Sequence, residues 1–197
     1  MITPGRAMRV GIFGGTFDPP HIGHLIAAGD ACDVLGLDTL LFVPTATQPL
    51  KADQGVASAS DRLAMVRLAI AGDPRFEVDA TEVERGGLSY TVDTLRTFRQ
   101  RWPAGTADLV LLLGADAAAQ FPHWKEPEAV RELVRVVVLT RGDGGAEPVP
   151  VEAEAVATRR VDVSSTEVRE RVKHGKSIRG LVADAVAAYI AQSGLYR

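Results

Sequence analysis

Residues 11–25 read GIFGGTFDPPHIGHL, and the order of parts in that stretch decides the fold. It continues an apolar run that begins at Met8 (MRVGIF), the signature of a buried strand. Gly14-Gly15-Thr16 follow at once, so the strand ends in a corner with few side chains. Pro19 and Pro20 stiffen the exit, and proline suits a helix start. A helix then opens at His21 (HIGHLIAAGDACDVLGL) and closes at Gly36. Strand, glycine corner and helix are the opening of an α/β unit.

The same alternation continues outward. TLLFVP is a second strand stopped by Pro44, and QPLKADQGVAS a polar loop. SDRLAMVRLAIAG is a helix with Ser60 as N-cap and Gly72 as its stop. FEVDATEVE alternates as a strand does. SYTVDTLRTFRQRW is a helix, with Trp102 as a core residue. ADLVLLLGAD is the most apolar strand, which places it centrally with both faces covered. EPEAVRELV is a helix and RVVVLTR a strand. GDGGAEPVPVEAEA is a Gly/Pro/Glu-rich loop and the best candidate for a mobile segment, TRRVDV a short last strand, and STEVRERVKHG and VADAVAAYIAQSG the closing helices. Alternating strands and helices predict an open, doubly wound parallel sheet with helices on both faces. No repeat or Pro/Ser linker divides it, so one domain is expected over residues 8–197, with 1–7 a frayed extension. Ligands of such sheets bind beyond the carboxyl ends of the strands.

Composition narrows the function. The chain has 197 residues, 46% hydrophobic and 24% charged, with net charge -3, which is ordinary for a globular protein and gives no basic signal for nucleic acid. No apolar run is long enough to cross a bilayer, and no signal peptide opens the chain, so a cytoplasmic protein is expected. Cys32, the only cysteine, excludes an internal disulfide and a cysteine-rich zinc site. It reads as a small buried hydrophobe.

Three places carry chemistry. In the first, glycine amides at 14–16 can cradle anionic oxygens, although a tight turn needs the same residues, and the spacing is neither the dinucleotide fingerprint nor the Walker loop. His21 and His24, three apart, share a helix face at the positive end of the helix dipole, which suits a phosphate beside them. No third ligand accompanies them, so no metal site is read there. In the second, VSSTEVRERV (163–172), Ser164 and Glu167 have capping-box spacing, yet Ser164, Ser165, Thr166 and Arg169 equally make an anion site; the residues alone leave both open. The third follows the strongest strand, where Gly114 and Asp116 stand at its carboxyl end, Asp116 as an acceptor for a ribose hydroxyl or an orienter of a cation. Trp124, between His123 and Lys125, suits stacking on a flat ring.

HIGH at 21–24 is the nucleotidyltransferase signature, and the longer GGTFDPPHIGH resembles the opening motif of bacterial nicotinate-nucleotide adenylyltransferases. SSTEVR resembles that family's SSTxxR motif, and the resemblance covers nearly the whole chain from Met8 to Tyr196. It implies a Rossmann-like nucleotidyltransferase fold and the transfer of AMP from ATP to nicotinate mononucleotide. It also implies residue roles. His21, His24, Arg169 and Lys51 would be catalytic. Gly14, Gly15, Thr16, Phe17, Gly114, Asp116, Ser164, Ser165, Thr166 and Arg169 would hold ATP. Tyr90, Thr91, Trp124, the Lys125 main chain and Arg141 would hold the mononucleotide, with Asp93 beside them. Mg²⁺ would arrive with ATP. Two departures stand out: Leu50 occupies the place of a histidine before Lys51, and Ala183 that of a common proline. Alternatives are a nicotinamide-mononucleotide or phosphopantetheine adenylyltransferase, the latter usually shorter with a different second motif. A synthetase-like core should carry a lysine-rich loop that is lacking here, and a non-catalytic module could have lost the histidines or the arginine. No nucleic-acid or membrane partner is expected; a homo-oligomer is left open.

Overall fold

A computed structural model describes residues 6–47, 57–142 and 153–197. Six strands form one parallel sheet: β1 (Met8–Gly15), β2 (Thr39–Pro44), β3 (Phe76–Val78), β4 (Ala107–Gly114), β5 (Arg135–Arg141) and β6 (Glu154–Thr158). Their order is β3-β2-β1-β4-β5-β6. The chain winds outward from β1 to β3, returns to the centre as β4, and winds out the other way. Strand order therefore reverses between β1 and β4, the place where a crevice opens in such sheets. The register pairs Ile12 with Leu111, so the corner after β1 lies beside the end of β4.

Among the described residues eight helices accompany the strands: α1 (Ile22–Leu35), α2 (Ala59–Ile70), α3 (Thr81–Arg85), α4 (Thr91–Arg101), α5 (Ala115–Gln120), α6 (Pro127–Leu133), and after the last strand α7 (Ser165–Lys173) and α8 (Asp184–Ser193). A 3₁₀ turn covers Phe121–His123. Alternate residues of each strand go to opposite faces. Leu109, Leu111 and Leu113 pack with Val92, Leu95 and Phe98 of α4, Phe121 and Val130. Val110 and Leu112 pack with Ala28, Ala31, Cys32 and Leu35 of α1 and Val66 and Ile70 of α2. The uninterrupted apolar run of β4 follows from both faces being covered. A third cluster joins Met65 of α2 to Val168, Val186, Ile190 and Tyr196, which seats the last two helices beside the corner after β1.

Several local expectations shift. The helix after the corner starts at Ile22, with His21 as its extended N-cap residue. Ser58, not Ser60, caps α2, accepting from the Asp61 N–H. FEVDATEVE is strand only to Val78 and then turns into α3, because Asp79 accepts from the Thr81 N–H at 2.9 Å and starts a helix. The last strand is Glu154–Thr158 rather than TRRVDV: Val156 and Thr158 of EAVAT fall on buried sites beside β5, whereas Arg159, Arg160 and Asp162 are exposed. Trp102 is half-buried against Phe98. Most of QPLKADQGVAS and most of GDGGAEPVPVEAEA lie outside the described residues. Among the described residues no helix is long and apolar enough to cross a membrane.

Candidate active site

The corner after β1 is held by its neighbours more than by its own bonds. A Cβ on Gly15 would lie 2.9 Å from the Phe17 ring, whereas one on Gly14 would meet nothing within 4 Å. Glycine at 15 lets Phe17 fold underneath, and Phe17 adopts a left-handed backbone, φ 50°, while packing its ring edge-on to Phe13. Gly14 faces open space, as does Gly114 at the end of β4. Asp116 follows on α5 and is exposed.

Arg62 of α2, buried to 4% exposure, reaches this corner. Its Nη1 donates to the Thr16 carbonyl at 2.7 Å and its Nη2 to the Ala46 carbonyl at 2.8 Å, tying the segments after β1 and β2 together. Burial pulls the guanidinium below its ordinary range, and the nearby Asp18 charge pushes it back. An arginine normally stays charged even so. The sequence signal for Arg62 was a charged residue at helical spacing from the buried Met65, Val66 and Ile70.

His21 and His24 stand at the start of α1 with their rings stacked, centroids 3.7 Å apart. His24 Nδ1 accepts from the His21 backbone N–H at 3.1 Å. In a neutral ring this puts the remaining proton on Nε2, which makes that atom a donor. The Phe17 ring lies edge-on to His24 at 5.1 Å. Gly23 makes room for His21, since a Cβ there would sit 3.0 Å from its Nδ1. Gly23→Ala should therefore displace the His21 ring, a change measurable as a shift of the His21 imidazole resonances in NMR spectra.

Arg169 of α7 approaches from the other side. Its Nη1 donates to the Asp18 carbonyl at 2.7 Å and its Nη2 to Thr166 Oγ1 at 3.2 Å. Ser165 Oγ donates to the Pro19 carbonyl at 2.8 Å. Ser164 is the N-cap of α7, accepting from the Glu167 N–H. Residues at 14–17, 21, 24 and 164–169 thus converge from two ends of the chain.

Beside them is a second group. Thr45 donates its N–H to the Gly15 carbonyl, and Ser89 donates its N–H to the Thr47 carbonyl, which brings the start of α4 to the same end of the sheet. Tyr90 is the N-cap residue of α4 and Thr91 its first. Lys125 Nζ lies 4.8 Å from the centre of the Tyr90 ring and 3.0 Å from Asp93 Oδ2. Trp124 is half-buried, tilted against Phe121 at 5.3 Å. The Asp79 carboxylate anchors α3 and α4. Burial opposes its charge, but bonds from Thr81 and Arg101 outweigh it and hold the pKa low. Such a group stabilises the fold above its unfolded pKa of about 4. Asp79→Asn should cost about 1–2 kcal/mol at neutral pH, a difference that shrinks as pH falls through the folded pKa, measurable by urea unfolding at several pH values. Arg141 ends β5; Lys51, with Leu50, lies outside the described residues.

Comparison with known proteins bears on this arrangement. The Cytidylyltransferase-like family profile matches residues 12–171. A protein of Gemmatimonas aurantiaca named "Probable nicotinate-nucleotide adenylyltransferase" is 51% identical, covering 96% of this chain and 93% of its own. The chain belongs to the nicotinate-nucleotide adenylyltransferase family. A member from Thermus thermophilus bearing the same name is 45% identical over 96% of this chain and all of its own. The Plasmodium falciparum nicotinic acid mononucleotide adenylyltransferase, solved in complex with NaAD, superposes with a TM-score of 0.77 over 96% of this chain and 97% of that one. At 17% identity that likeness speaks for the fold: a six-stranded Rossmann-like nucleotidyltransferase sheet. The corner after β1 and the α7 residues bonded to it lie at the point where the sheet reverses strand order.

Proposed function

We propose that the protein transfers the adenylyl group of ATP to nicotinate mononucleotide, releasing pyrophosphate, with residues 8–197 acting as one catalytic domain. The observation that carries this reading is the stacked His21–His24 pair set beside a corner whose main chain Arg169 holds at Asp18. Membership of the adenylyltransferase family supplies the substrate class.

The nucleophile is a phosphate oxygen of the mononucleotide, already anionic. It attacks the α-phosphorus of ATP; the bond from that phosphorus to the oxygen bridging it to the β-phosphate breaks, and the electron pair leaves with pyrophosphate. No protein nucleophile or net proton transfer is required. Positioning and charge stabilisation do the work, as in other phosphoryl transfers. Amides of Gly14, Gly15, Thr16 and Phe17 meet the phosphates, and His24 Nε2 donates to the α-phosphate with His21 beside it. Arg169 and Lys51 neutralise the departing pyrophosphate, while Ser164, Ser165 and Thr166 line its path. Mg²⁺ enters as part of the ATP substrate. Gly114 and Asp116 bound the adenosine side, Asp116 accepting from the ribose.

Tyr90, Thr91, Trp124 and the Lys125 main chain take the nicotinate ring, and Arg141 takes the mononucleotide phosphate. Trp124 suits stacking because it is braced by the tilted Phe121 ring while the residue keeps part of its surface open. Lys125 keeps its side chain on Asp93, so its backbone N–H rather than its ammonium reads the ring carboxylate.

The test is pyrophosphate release from MgATP with nicotinate mononucleotide, nicotinamide mononucleotide and phosphopantetheine in parallel. Turnover with the first, at higher kcat/KM than with either of the others, is expected. A clear preference for another acceptor, or no release with any, would sink the reading.

A further inference from the structure

Asp18 has no role in the scheme above, yet it lies inside the corner and is 3% exposed. Its backbone is gripped from α7, where Arg169 donates to its carbonyl and Ser165 to that of the next residue, Pro19. Its side chain is gripped from elsewhere. Tyr196, which follows α8 and is itself 8% exposed, donates its hydroxyl to Asp18 Oδ1 at 2.6 Å, the short spacing of a hydroxyl on a carboxylate. Tyr196 has a firm seat: its ring joins the apolar cluster of Met65, Val186 and Ile190, its hydroxyl also approaches Met65 Sδ at 4.0 Å, and Gly194 in the left-handed region turns the chain towards it. A second bond from the same region, Ile22 N–H to the Leu181 carbonyl at 2.8 Å, secures the start of α1.

We propose that Tyr196 is a positioning residue for adenylyl transfer, holding residues 16–19 through Asp18 in the shape that receives the ATP phosphates. The inference rests on the function proposed above. Asp18 follows Phe17, whose left-handed backbone is uncommon for a bulky side chain. A backbone in a sparsely populated region persists when its surroundings over-determine it. Arg62 restrains that corner at Thr16, Arg169 and Ser165 restrain its main chain at Asp18 and Pro19, and Tyr196 restrains the Asp18 side chain. Burial and the Asp18 charge push the phenol well above its ordinary range, Arg169 and Arg62 pulling back, so it stays a donor throughout the working range of the enzyme.

The experiment compares wild type with Tyr196→Phe, which keeps the ring in its cluster and removes only the hydroxyl. The expected result is a roughly tenfold fall in kcat/KM for ATP, with KM for the mononucleotide within twofold of wild type. Asp18→Ala should cost at least as much, and Tyr196→Phe added to Asp18→Ala should cost nothing more, because both act through one contact. A second readout does not need turnover: the rise in Tm produced by saturating MgATP, expected to be smaller in Tyr196→Phe than in wild type. If Tyr196→Phe stays within twofold of wild type in kcat/KM for ATP, or if its MgATP shift equals that of wild type, the positioning role is wrong even where its Tm without ligand has dropped. If wild type turns over no acceptor but Tyr196→Phe still loses part of the MgATP shift, the reaction proposed above fails, and with it a role in adenylyl transfer, while the part of Tyr196 in shaping the ATP-phosphate site stands. If MgATP moves neither protein, both fail.

Discussion

Replacing His24 with alanine is expected to lower kcat/KM for adenylyl transfer by about a hundred- to a thousand-fold, the usual cost of deleting one oriented donor to developing charge. The geometry explains why the effect should be large. His24 Nδ1 is occupied by the His21 N–H, so the ring cannot turn, and its Nε2 is left as an oriented donor. The stacked His21 ring cannot take its place without leaving its own position over Gly23. His24 also caps α1, so the alanine variant should lose about 1 kcal/mol of stability as well. His24→Asn separates the two effects. Its amide oxygen can accept from the His21 N–H, which restores the cap, but it is too short to reach where Nε2 stood. Both variants should therefore be nearly inactive, while only alanine lowers the midpoint of urea unfolding. An alanine variant within fivefold of wild-type kcat/KM would remove His24 from the chemistry.

The second large effect is on stability. Arg62→Met should destabilise the protein by about 2–4 kcal/mol, the cost of leaving two buried carbonyls without their donors. Methionine fills a similar volume, so packing is not the cause. What is lost is a donor to each of the Thr16 and Ala46 carbonyls, together with a positive charge that acts on the buried Asp18 carboxylate. Arg62→Met combined with Asp18→Asn should therefore be less destabilised than the two single losses added together. Urea unfolding of the four proteins measures this directly. A loss below 1 kcal/mol for Arg62→Met would mean that the guanidinium is solvated in a way its burial does not indicate.

Much of this was legible beforehand, and the reasons are local. An unbroken apolar run within a strand announces a central, twice-covered place, and Leu109–Leu113 of β4 is such a run. Glycines at the end of a strand and histidines three apart at the start of a helix are patterns of immediate neighbours, so their geometry follows from backbone periodicity. Where local signals competed, the reading slipped. FEVDATEVE alternates in hydrophobicity, but the Asp79 side chain bonding the Thr81 N–H outweighed that pattern and began α3. TRRVDV looked like a strand on its β-branched residues, yet EAVAT, with the weaker local preference, took the edge of the sheet because it could put Val156 and Thr158 against β5.

From the sequence by itself came the parallel sheet, the side-chain-poor corner, the histidine pair and the SSTEVR helix start, since each is written in spacings of a few residues. Only the tertiary structure decided what holds that corner in shape. Arg62 reaches it across 46 residues, Arg169 across 151 and Tyr196 across 178. A buried carboxylate must find hydrogen-bond donors or a countercharge wherever the folded chain brings them, and no local periodicity encodes which residues those are.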